Sequence, residues 1–585
     1  MRSALAALVA LVASVGTLTA STTPRPASSA VPDQDGKPRV KLAVLVVFDQ
    51  MRGDYLEKWK PLFAKGGFAR LQDEGAWFVN CHYPYAITTT GPGHASILSG
   101  TCPDRHGIIN NEWSEKGRSV YCAGDERYQL VPAPLVVKPG AKPKPIGTPE
   151  RLLAETLADV LKRAHGAKAK VFGLSLKDRS AILPIGKRPD GAYWFDGRFV
   201  TSTYYAEAVH PWVAEFNRSG AAERWFGKEW TRFRPDLDYE KYSGPDDVVG
   251  EGRRVTAKDT ESPVFGRTFP HPLGAGDEKA GPKYYEGLAC SPHGNDLLLE
   301  LTKACVIAED LGKDDVPDLL VVSFSSNDLI GHIWGPDSQE VLDVTLRSDA
   351  LMAELLGFLD EKVGKGNYAL AVTADHGICP LPEVSAGKGL DAKRIDPKAF
   401  QAGIENHLKM TFGPACDAGA DDEPKAASGW VEAFAAPWIY INPRLAKAAG
   451  KTPAEVARTL ADYLAKQPEV FRVFTREDLA AEFPEGDPVG RRVKRSFHPD
   501  RSGDVYVVLR PYYLLSSPLA PGTNHGTPHD YDTYVPLLVY GPGVSGGRRD
   551  ESVTPQATAA VFARFLGLRP PSSAEFPVPA TLETQ

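Results

Sequence analysis

The chain has 585 residues, of which 42% are hydrophobic and 24% charged, and its formal net charge at pH 7 is −7. These proportions exclude a disordered chain and a membrane-embedded one, and they allow a substantial core in several domains or in one large domain with insertions. The negative charge and the lack of a long basic run argue against a nucleic-acid-binding surface, so no nucleic acid partner is expected.

The N-terminal segment has the pattern of a secretory signal. Arg2 is the only charged residue among the first twenty, and the apolar run that follows it is short and ends in Ser and Thr. Such a run is typical of a signal peptide rather than of a spanning helix. We predict that residues 1–30 are a signal peptide and flexible leader, with cleavage after Ala20 or Ala30. The protein would then be periplasmic or secreted, with no membrane span after cleavage; an uncleaved anchor is the alternative.

Seven cysteines are spread along the chain. An odd number cannot pair completely within one chain, and none forms a C-x-x-C motif, which argues against a zinc ribbon or a thioredoxin-like site. In an exported protein we expect some of them to pair, and the sequence leaves their connectivity open. They are Cys81, Cys102, Cys122, Cys290, Cys305, Cys379 and Cys416.

Buried strands are predicted to alternate with helices. One helix is predicted to open with Thr148 as its N-cap and Pro149 at its first position, and to run to about His165. This alternation, with nearly continuous apolar strands, predicts an α/β fold with a central, mostly parallel sheet and helices on both faces. The other predicted elements are strands at 42–48, 171–174, 318–326, 368–374 and 438–441 and helices at 339–363 and 453–466.

Three of these apolar strands are each followed by an acid or an acid–histidine pair. In open α/β sheets, ligands bind beyond the carboxyl ends of the strands. Carboxylates and imidazoles together suit zinc, and two metals roughly 3.5–4 Å apart serve phosphoryl transfer. A further histidine follows in a Gly- and Thr-rich stretch, with a second one close by that ranks behind it. The candidates are Asp49, Asp328, His332, Asp375, His376 and His525, with His529 second to His525.

The spread of these candidates predicts the domain organisation. They extend from Asp49 to His525 and so span most of the chain. We therefore predict one catalytic domain at residues 39–570, with insertions near 190–300 and 384–505, the second of which forms a cap or subdomain.

A nucleophile candidate lies in the run Thr88–Thr89–Thr90–Gly91–Pro92. A Thr followed by Gly and Pro is typical of a helix N-cap. A helix N-terminus also favours anions, so that a hydroxyl there ionises more easily and a phosphate can dock. On these residues alone, a helix cap and a nucleophile explain Thr90 equally well.

Seven short segments, in order along the chain from about residue 44 to 541, carry a family resemblance. They are residues 46–52, 90–94, 106–111, 175–179, 328–332, 373–377 and 523–525. Through them the chain resembles the alkaline phosphatase superfamily, and within it the PafA-type alkaline phosphatases that use a threonine nucleophile. The resemblance implies an alkaline-phosphatase-like central sheet with inserted subdomains.

The resemblance also implies a role for each candidate. Thr90 would be the nucleophile, with Thr89 as the fallback in a run of three threonines. Asn111 would contact a phosphoryl oxygen, with Asn110 as the fallback. Two zinc ions per chain are implied, one bound by Asp328, His332 and His525 and the other by Asp49, Asp375, His376 and the Thr90 oxygen.

Lys177 and Arg179 decide the implied substrate class. Alternation places them on one side of a predicted extended segment, where a solvated charged loop would be the ordinary explanation. The resemblance instead implies a phosphate clamp, with Lys as a point charge and Arg as a fork. Because a monoester carries more charge on its non-bridging oxygens than a diester does, these cations favour monoesters.

The sequence thus predicts a zinc-dependent alkaline phosphatase that hydrolyses small-molecule phosphate monoesters through a covalent phosphothreonine. A broad-specificity phosphodiesterase of the same superfamily is the alternative, and a metal-binding protein without catalysis is a further one. Formylglycine sulfatase chemistry is not expected, because the related sulfatases place Cys or Ser where this chain has Thr90, and Arg where it has His94.

Overall fold

The computed structural model describes residues 38–135, 145–252, 265–414, 429–518 and 520–583. The predicted signal peptide and leader, and Cys416, lie outside the described residues, so their assignments stay predictions. No helix in the described ranges has both the length and the apolar character needed to cross a bilayer.

A ten-stranded sheet forms the centre of the fold. Its five middle strands run parallel to one another; they are Tyr368–Thr373, Leu42–Phe48, Asp318–Phe324, Val171–Ser175 and Gly191–Phe195. Leu537–Tyr540 runs antiparallel to both of its neighbours. The predicted α/β fold with a mostly parallel sheet is therefore confirmed. In spatial order the strands are Gly547–Val553, Ala76–Cys81, Leu537–Tyr540, Tyr368–Thr373, Leu42–Phe48, Asp318–Phe324, Val171–Ser175, Gly191–Phe195, Phe199–Ser202 and Leu130–Val131.

The three strands that precede the candidate acids lie side by side in the middle of this sheet. Every residue of Leu42–Phe48, Asp318–Phe324 and Tyr368–Thr373 is buried. Since successive side chains point to opposite faces, both faces of the sheet must be covered at these strands. Phe48 pairs with Phe324, and Val47 with Thr373, so the three carboxyl ends are aligned. The register therefore brings the following acids to one edge.

Helices of eight or more residues surround the central sheet and the smaller sheets. They are Thr90–Ser99, Leu157–His165, Pro211–Arg218, Pro282–Ala289, Pro292–Ala308, Ser326–Trp334, Gln339–Leu359, Pro397–Phe412, Pro453–Leu464 and Ala557–Phe565. Shorter helices are Tyr55–Lys58, Phe68–Glu74, Pro103–His106, Asp178–Ile182, Tyr239–Ser243, Pro382–Gly387, Pro443–Ala448, Arg476–Ala480, Pro488–Lys494, Asp530–Thr533 and Ala580–Glu583.

The predicted start of one helix is wrong. The helix begins at Leu157 rather than just after Thr148, although it ends at His165 as expected. Thr156 accepts a hydrogen bond from the Asp159 backbone, and the Asp159 carboxylate accepts one from the Thr156 backbone. This capping box satisfies two N–H groups at once, whereas the third residue after Thr148 is Arg151, whose side chain cannot accept the return hydrogen bond.

A second, four-stranded sheet begins within the predicted insertion at 384–505 and extends just beyond it, because one of its strands runs to Leu509. Its strands in spatial order are Val431–Ala435, Trp438–Ile441, Val505–Leu509 and Val470–Thr475. It has an apolar core of its own, to which the helices Pro397–Phe412 and Pro453–Leu464 contribute Phe400, Ile404 and Leu460. Lys393–Ile395 pairs with Tyr513–Leu515 beside it. We call the described residues between 393 and 515 the cap. The division into domains itself stays a prediction.

The other predicted insertion, near 190–300, contributes to the central sheet as well. Gly191–Phe195 and Phe199–Ser202 are two of its strands, and Glu229–Trp230 pairs with His271–Pro272 in a separate small sheet. Two further strand pairs are Glu112–Glu115 with Arg118–Tyr121 and Gly124–Asp125 with Ile146–Gly147. Within the described ranges, buried thiols that form no disulfide are Cys81, Cys102, Cys122, Cys305 and Cys379.

Candidate active site

The six predicted ligands gather into two groups at the carboxyl edge of the sheet. Within each group, one ligand atom per residue lies within 4.8 Å of the others, close enough to hold one metal ion. The first group uses the helix Ser326–Trp334, whose i and i+4 positions share one face. The groups are Asp328, His332 and His525, and Asp49, Asp375 and His376.

The histidines of the first group are oriented by backbone carbonyls. His332 donates from Nδ1 to the Thr523 carbonyl at 2.8 Å, and His525 donates from Nδ1 to the Thr88 carbonyl at 2.8 Å. Each ring therefore presents Nε2 to Asp328 Oδ1, at 3.2 Å for His332 and 3.6 Å for His525. Such outer hydrogen bonds fix the tautomer that a metal ligand needs.

The second group is fully buried, and two of its carboxylate oxygens accept no hydrogen bond. His376 donates from Nδ1 to the Gly377 carbonyl at 2.9 Å, and its Nε2 lies 3.3 Å from Asp375 Oδ2 and 3.6 Å from Asp49 Oδ1. Both of these carboxylate oxygens are buried without a hydrogen bond. Because an unpaired buried carboxylate oxygen is costly, this donor set fits a bound cation, and its O and N atoms suit zinc.

Burial and neighbouring charges shift the pKa values of ligands in both groups. Burial, together with the carboxylate of Asp375, raises the pKa of Asp49 well above its usual value. Burial and the neighbouring imidazoles of His376 and His332 lower the pKa of His525. The rings of His376 and His525 are stacked with centroids 3.6 Å apart. The site therefore keeps His525 neutral, which is the form of imidazole that binds a metal ion.

Lys177 and Arg179 both reach the site, although their predicted backbone is wrong. Lys177 is the N-cap of the helix Asp178–Ile182, so the segment is not extended and Arg179 lies inside the helix. Lys177 Nζ donates to Asp49 Oδ2 at 2.8 Å and to Asp328 Oδ2 at 2.5 Å, and so bridges the two groups. Burial opposes its charge, but these two carboxylates raise the pKa of Lys177.

Thr90 lies beside the second group, at the start of the helix Thr90–Ser99. Its Oγ1 is 3.5 Å from His376 Nε2 and 3.5 Å from Arg179 Nη2. The N-cap is Thr89, not Thr90, because Thr89 has the extended backbone (φ −119°, ψ 163°) at which a helix begins. The explanation of Thr90 as a cap is therefore wrong.

The two asparagines and Thr89 have different surroundings. Asn111 Oδ1 accepts from the Gly91 backbone at 2.7 Å. Asn110 Oδ1 accepts from Thr89 Oγ1 at 3.1 Å and from the Asn111 backbone at 2.8 Å, and its Nδ2 donates to the Ala436 carbonyl of the cap at 3.0 Å. Asn110 and Thr89 are thus hydrogen-bonded to each other, whereas Asn111 is bonded to the first turn of the helix that begins at Thr90.

Two other histidines contact backbone carbonyls and belong to neither ligand group. His529, the second-ranked ligand, contacts the Leu509 carbonyl through Nε2 at 2.9 Å. His94 is fully buried and places Nδ1 2.9 Å from the Thr90 carbonyl and 3.2 Å from Asp375 Oδ2. It therefore lies between the helix Thr90–Ser99 and a carboxylate of the second group.

Sequence reasoning gave no role to Gln50. Its backbone N–H donates to Asp375 Oδ1 at 3.0 Å and its Nε2 to Asp328 Oδ1 at 2.6 Å, so one residue supports both ligand groups. Its φ of 71° lies in the left-handed region, which is strained for a residue with a Cβ. Its position next to Asp49 at a strand end was the only signal in the sequence.

Tyr121 was also missed. Its hydroxyl donates to Asp178 Oδ1 at 2.5 Å and accepts from Arg179 Nη1 at 3.3 Å. Tyr121 comes from the hairpin Glu112–Glu115/Arg118–Tyr121, far from Arg179 in sequence. Tyr121 therefore supports the Arg179 guanidinium from a separate part of the chain, and no local sequence pattern indicates this contact.

Comparison with known proteins identifies the family. The model of the type I phosphodiesterase/nucleotide pyrophosphatase family matches residues 43–532. The chain is 34% identical to alkaline phosphatase PafA of Elizabethkingia meningoseptica over 550 residues, covering 92% of this chain and 93% of that protein. It is 32% identical to alkaline phosphatase PhoV of Synechococcus elongatus over 540 residues, covering 91% of each. A crystal structure of wild-type PafA matches with a TM-score of 0.81 and 32% identity, over 93% of this chain and 99% of that one. The chain belongs to the type I phosphodiesterase/nucleotide pyrophosphatase family of the alkaline phosphatase superfamily.

Proposed function

We propose that this protein is an exported, zinc-dependent alkaline phosphatase that hydrolyses phosphate monoesters through a covalent phosphothreonine. The observation that carries the proposal is the position of the Thr90 hydroxyl, 3.5 Å from both His376 Nε2 and Arg179 Nη2 at the start of a helix. The names of the relatives, which are alkaline phosphatases, support the same reaction class.

Two zinc ions would be held by the two ligand groups. The first would be bound by Asp328, His332 and His525, and the second by Asp49, Asp375, His376 and the Thr90 oxygen. Zinc supplies a Lewis acid that lowers the pKa of a bound hydroxyl and stabilises negative charge on oxygen. The unpartnered oxygens of the second group support this assignment.

The residues of the chain then have the following roles. Thr90 Oγ1, without its proton, attacks phosphorus in line, the P–O bond to the alcohol breaks, and the alkoxide takes up a proton. Water then attacks the phosphothreonine at phosphorus, releasing inorganic phosphate and restoring the Thr90 hydroxyl. The positive end of the dipole of the helix Thr90–Ser99 favours the negative charge of the phosphoryl group throughout.

Selectivity for monoesters would come from the two cations. Arg179 Nη2 lies next to the nucleophile, and Lys177 Nζ lies between the two ligand groups. A guanidinium and an ammonium near the non-bridging oxygens stabilise the more highly charged monoester preferentially. Asn111, held by the Gly91 backbone, would contact a third phosphoryl oxygen.

The decisive experiment compares neighbouring threonine variants. Thr90→Ala is expected to abolish turnover while the zinc content, measured by atomic emission, stays at the wild-type value. Thr89→Ala loses a hydrogen bond to Asn110 and is expected to keep activity within about tenfold. Mass spectrometry of acid-quenched wild-type enzyme should find the phosphoryl group on Thr90. Wild-type activity in Thr90→Ala would place the nucleophile elsewhere.

Two alternatives are tested with the same preparation. A broad-specificity phosphodiesterase, which the description of the family model favours, would hydrolyse a diester at least as well as a monoester. A metal-binding protein without catalysis would bind zinc and hydrolyse neither. Assays of both esters before chelation, after it and after the return of zinc separate the three functions.

A further inference from the structure

The ligand groups form one end of a cleft whose other walls come from the cap. The cleft has a volume of about 350 Å³, which is in the range of cavities that hold drug-sized molecules. Thr90, Asn111 and Arg179 line one end together with Asp328, His332 and His525. A phosphoryl group at that end would leave most of the cleft to the rest of the substrate.

The cap contributes uncharged, mostly apolar side chains to this cleft, and four of them are aromatic. Among the described lining residues, none from the cap is Asp, Glu, Lys, Arg or His. The aromatic residues of the cap side are Phe400, Phe434, Tyr506 and Tyr513, and Tyr531, from outside the cap, also lines the cleft. The Phe400 and Phe434 rings have centroids 6.2 Å apart and are tilted by 54°, the spacing of an aromatic pair.

This wall has a fixed position relative to the nucleophile. Val431–Ala435 and Trp438–Ile441 form a hairpin whose turn, at Ala436 and Pro437, also lines the cleft. Asn110 donates from Nδ2 to the Ala436 carbonyl at 3.0 Å and accepts from Thr89 next to the nucleophile. The aromatic wall is therefore tied by hydrogen bonds to the loop that carries Thr90.

We infer that the cap side of the cleft is a leaving-group subsite for a flat, uncharged aromatic ester group, so that aryl phosphate monoesters are the preferred substrates. The inference rests on the proposed phosphatase function. An aryl group gains contacts with the aromatic wall, whereas a second phosphate or a carboxylate would find no cation on the cap side among the described residues. A small alkyl group would leave the wall unused.

The test removes one ring and compares two substrates. Phe434 is half-buried on the strand Val431–Ala435, so Phe434→Ala disturbs the cap core less than a change at Phe400 would. For the zinc-loaded enzyme, Phe434→Ala is expected to lower kcat/KM about tenfold for 2-naphthyl phosphate and less than twofold for ethyl phosphate. Comparing variant with wild type for each ester cancels the different intrinsic reactivities. If Phe434→Ala fails to fold, Phe434→Leu keeps the apolar volume and removes the flat ring.

A matched control lies in the same cap. Phe471 is 49% exposed and does not line the cleft, so Phe471→Ala should leave kcat/KM unchanged for both esters. Equal losses on both esters in Phe434→Ala, or no loss on the naphthyl ester, would overturn the subsite. Binding of 2-naphthol, followed by its fluorescence, tests the subsite without catalysis: wild type should bind it about tenfold more tightly than Phe434→Ala, and equal binding would refute the inference. If wild type hydrolyses neither ester, the proposed function fails while this titration still decides the subsite.

Discussion

A single methyl group at Gly93 should separate Thr90, the proposed nucleophile, from the second ligand group. Gly93 lies in the helix Thr90–Ser99, three residues after Thr90. A Cβ built there would lie 2.4 Å from the Asp375 carbonyl oxygen and 2.6 Å from the Asp375 Cβ. The helix therefore packs against the strand end through a position that leaves no room for a side chain.

The size of the effect follows from these distances. An ordinary contact begins at 3.4 Å, so in Gly93→Ala the helix and the strand end must move apart by about 1 Å. Overpacking of this kind lowers the free energy of unfolding by roughly 1–3 kcal/mol. The higher helix propensity of alanine offsets about 1 kcal/mol of this loss. A misplacement of about 1 Å at a reacting group can cost roughly 100-fold in rate. We expect kcat to fall about 100-fold. The free energy of unfolding should fall by roughly 2 kcal/mol or less.

The assay needs activity, zinc content and unfolding measured on the same samples. Gly357→Ala is the matched control, because Gly357 is also helical, is exposed on Gln339–Leu359, and has no heavy atom within 4 Å of the added Cβ. It should raise the free energy of unfolding by roughly 0.5–1 kcal/mol and leave kcat unchanged. Gly93→Ala with wild-type kcat would refute the close approach on which the geometry of the site depends.

The remaining predictions concern the cations and the metal. Lys177→Ala and Arg179→Ala should each lower kcat/KM for a monoester far more than for a diester, and equal losses would contradict the proposed clamp. Tyr121→Phe removes a hydrogen bond of about 1 kcal/mol from the Arg179 support, so monoester kcat/KM should fall about fivefold at unchanged zinc content; an unchanged value would mean that Tyr121 does not orient Arg179. Chelation should abolish hydrolysis and lower the melting temperature, because the buried oxygens of Asp49 and Asp375 lose their cation, and zinc should restore both; full activity after chelation would exclude a metal enzyme.

The strands were predictable because a strand that is buried on both faces has apolar residues at nearly every position. The run at Leu42–Phe48 has the predicted bounds, and those ending near Ser326 and Ala374 differ from the structure by one or two residues. Since parallel strands align their carboxyl ends, the candidates Asp49, Asp328 and Asp375 could be placed together before any contact was known. The ligand groups were therefore the most predictable part of the site.

Contacts that depend on a distant element were not predictable. Gln50 and Tyr121 act through partners more than fifty residues away, so neither local propensity nor spacing indicates them. The wrong starts are a different case, in which two local signals compete. Thr148–Pro149 and Thr156–Asp159 are both acceptable helix starts, and Thr89 and Thr90 are both acceptable caps, and only the folded backbone decides between them.

The hydrogen bond from Asn110 to the cap has a consequence for how such a protein can diversify. It ends on a main-chain carbonyl, that of Ala436, and so does not depend on which side chain the cap carries at that position. Wall residues such as Phe434 can accordingly be exchanged by mutation while the cap stays in register with the catalytic loop. New leaving-group preferences could then arise one substitution at a time on an unaltered reaction centre.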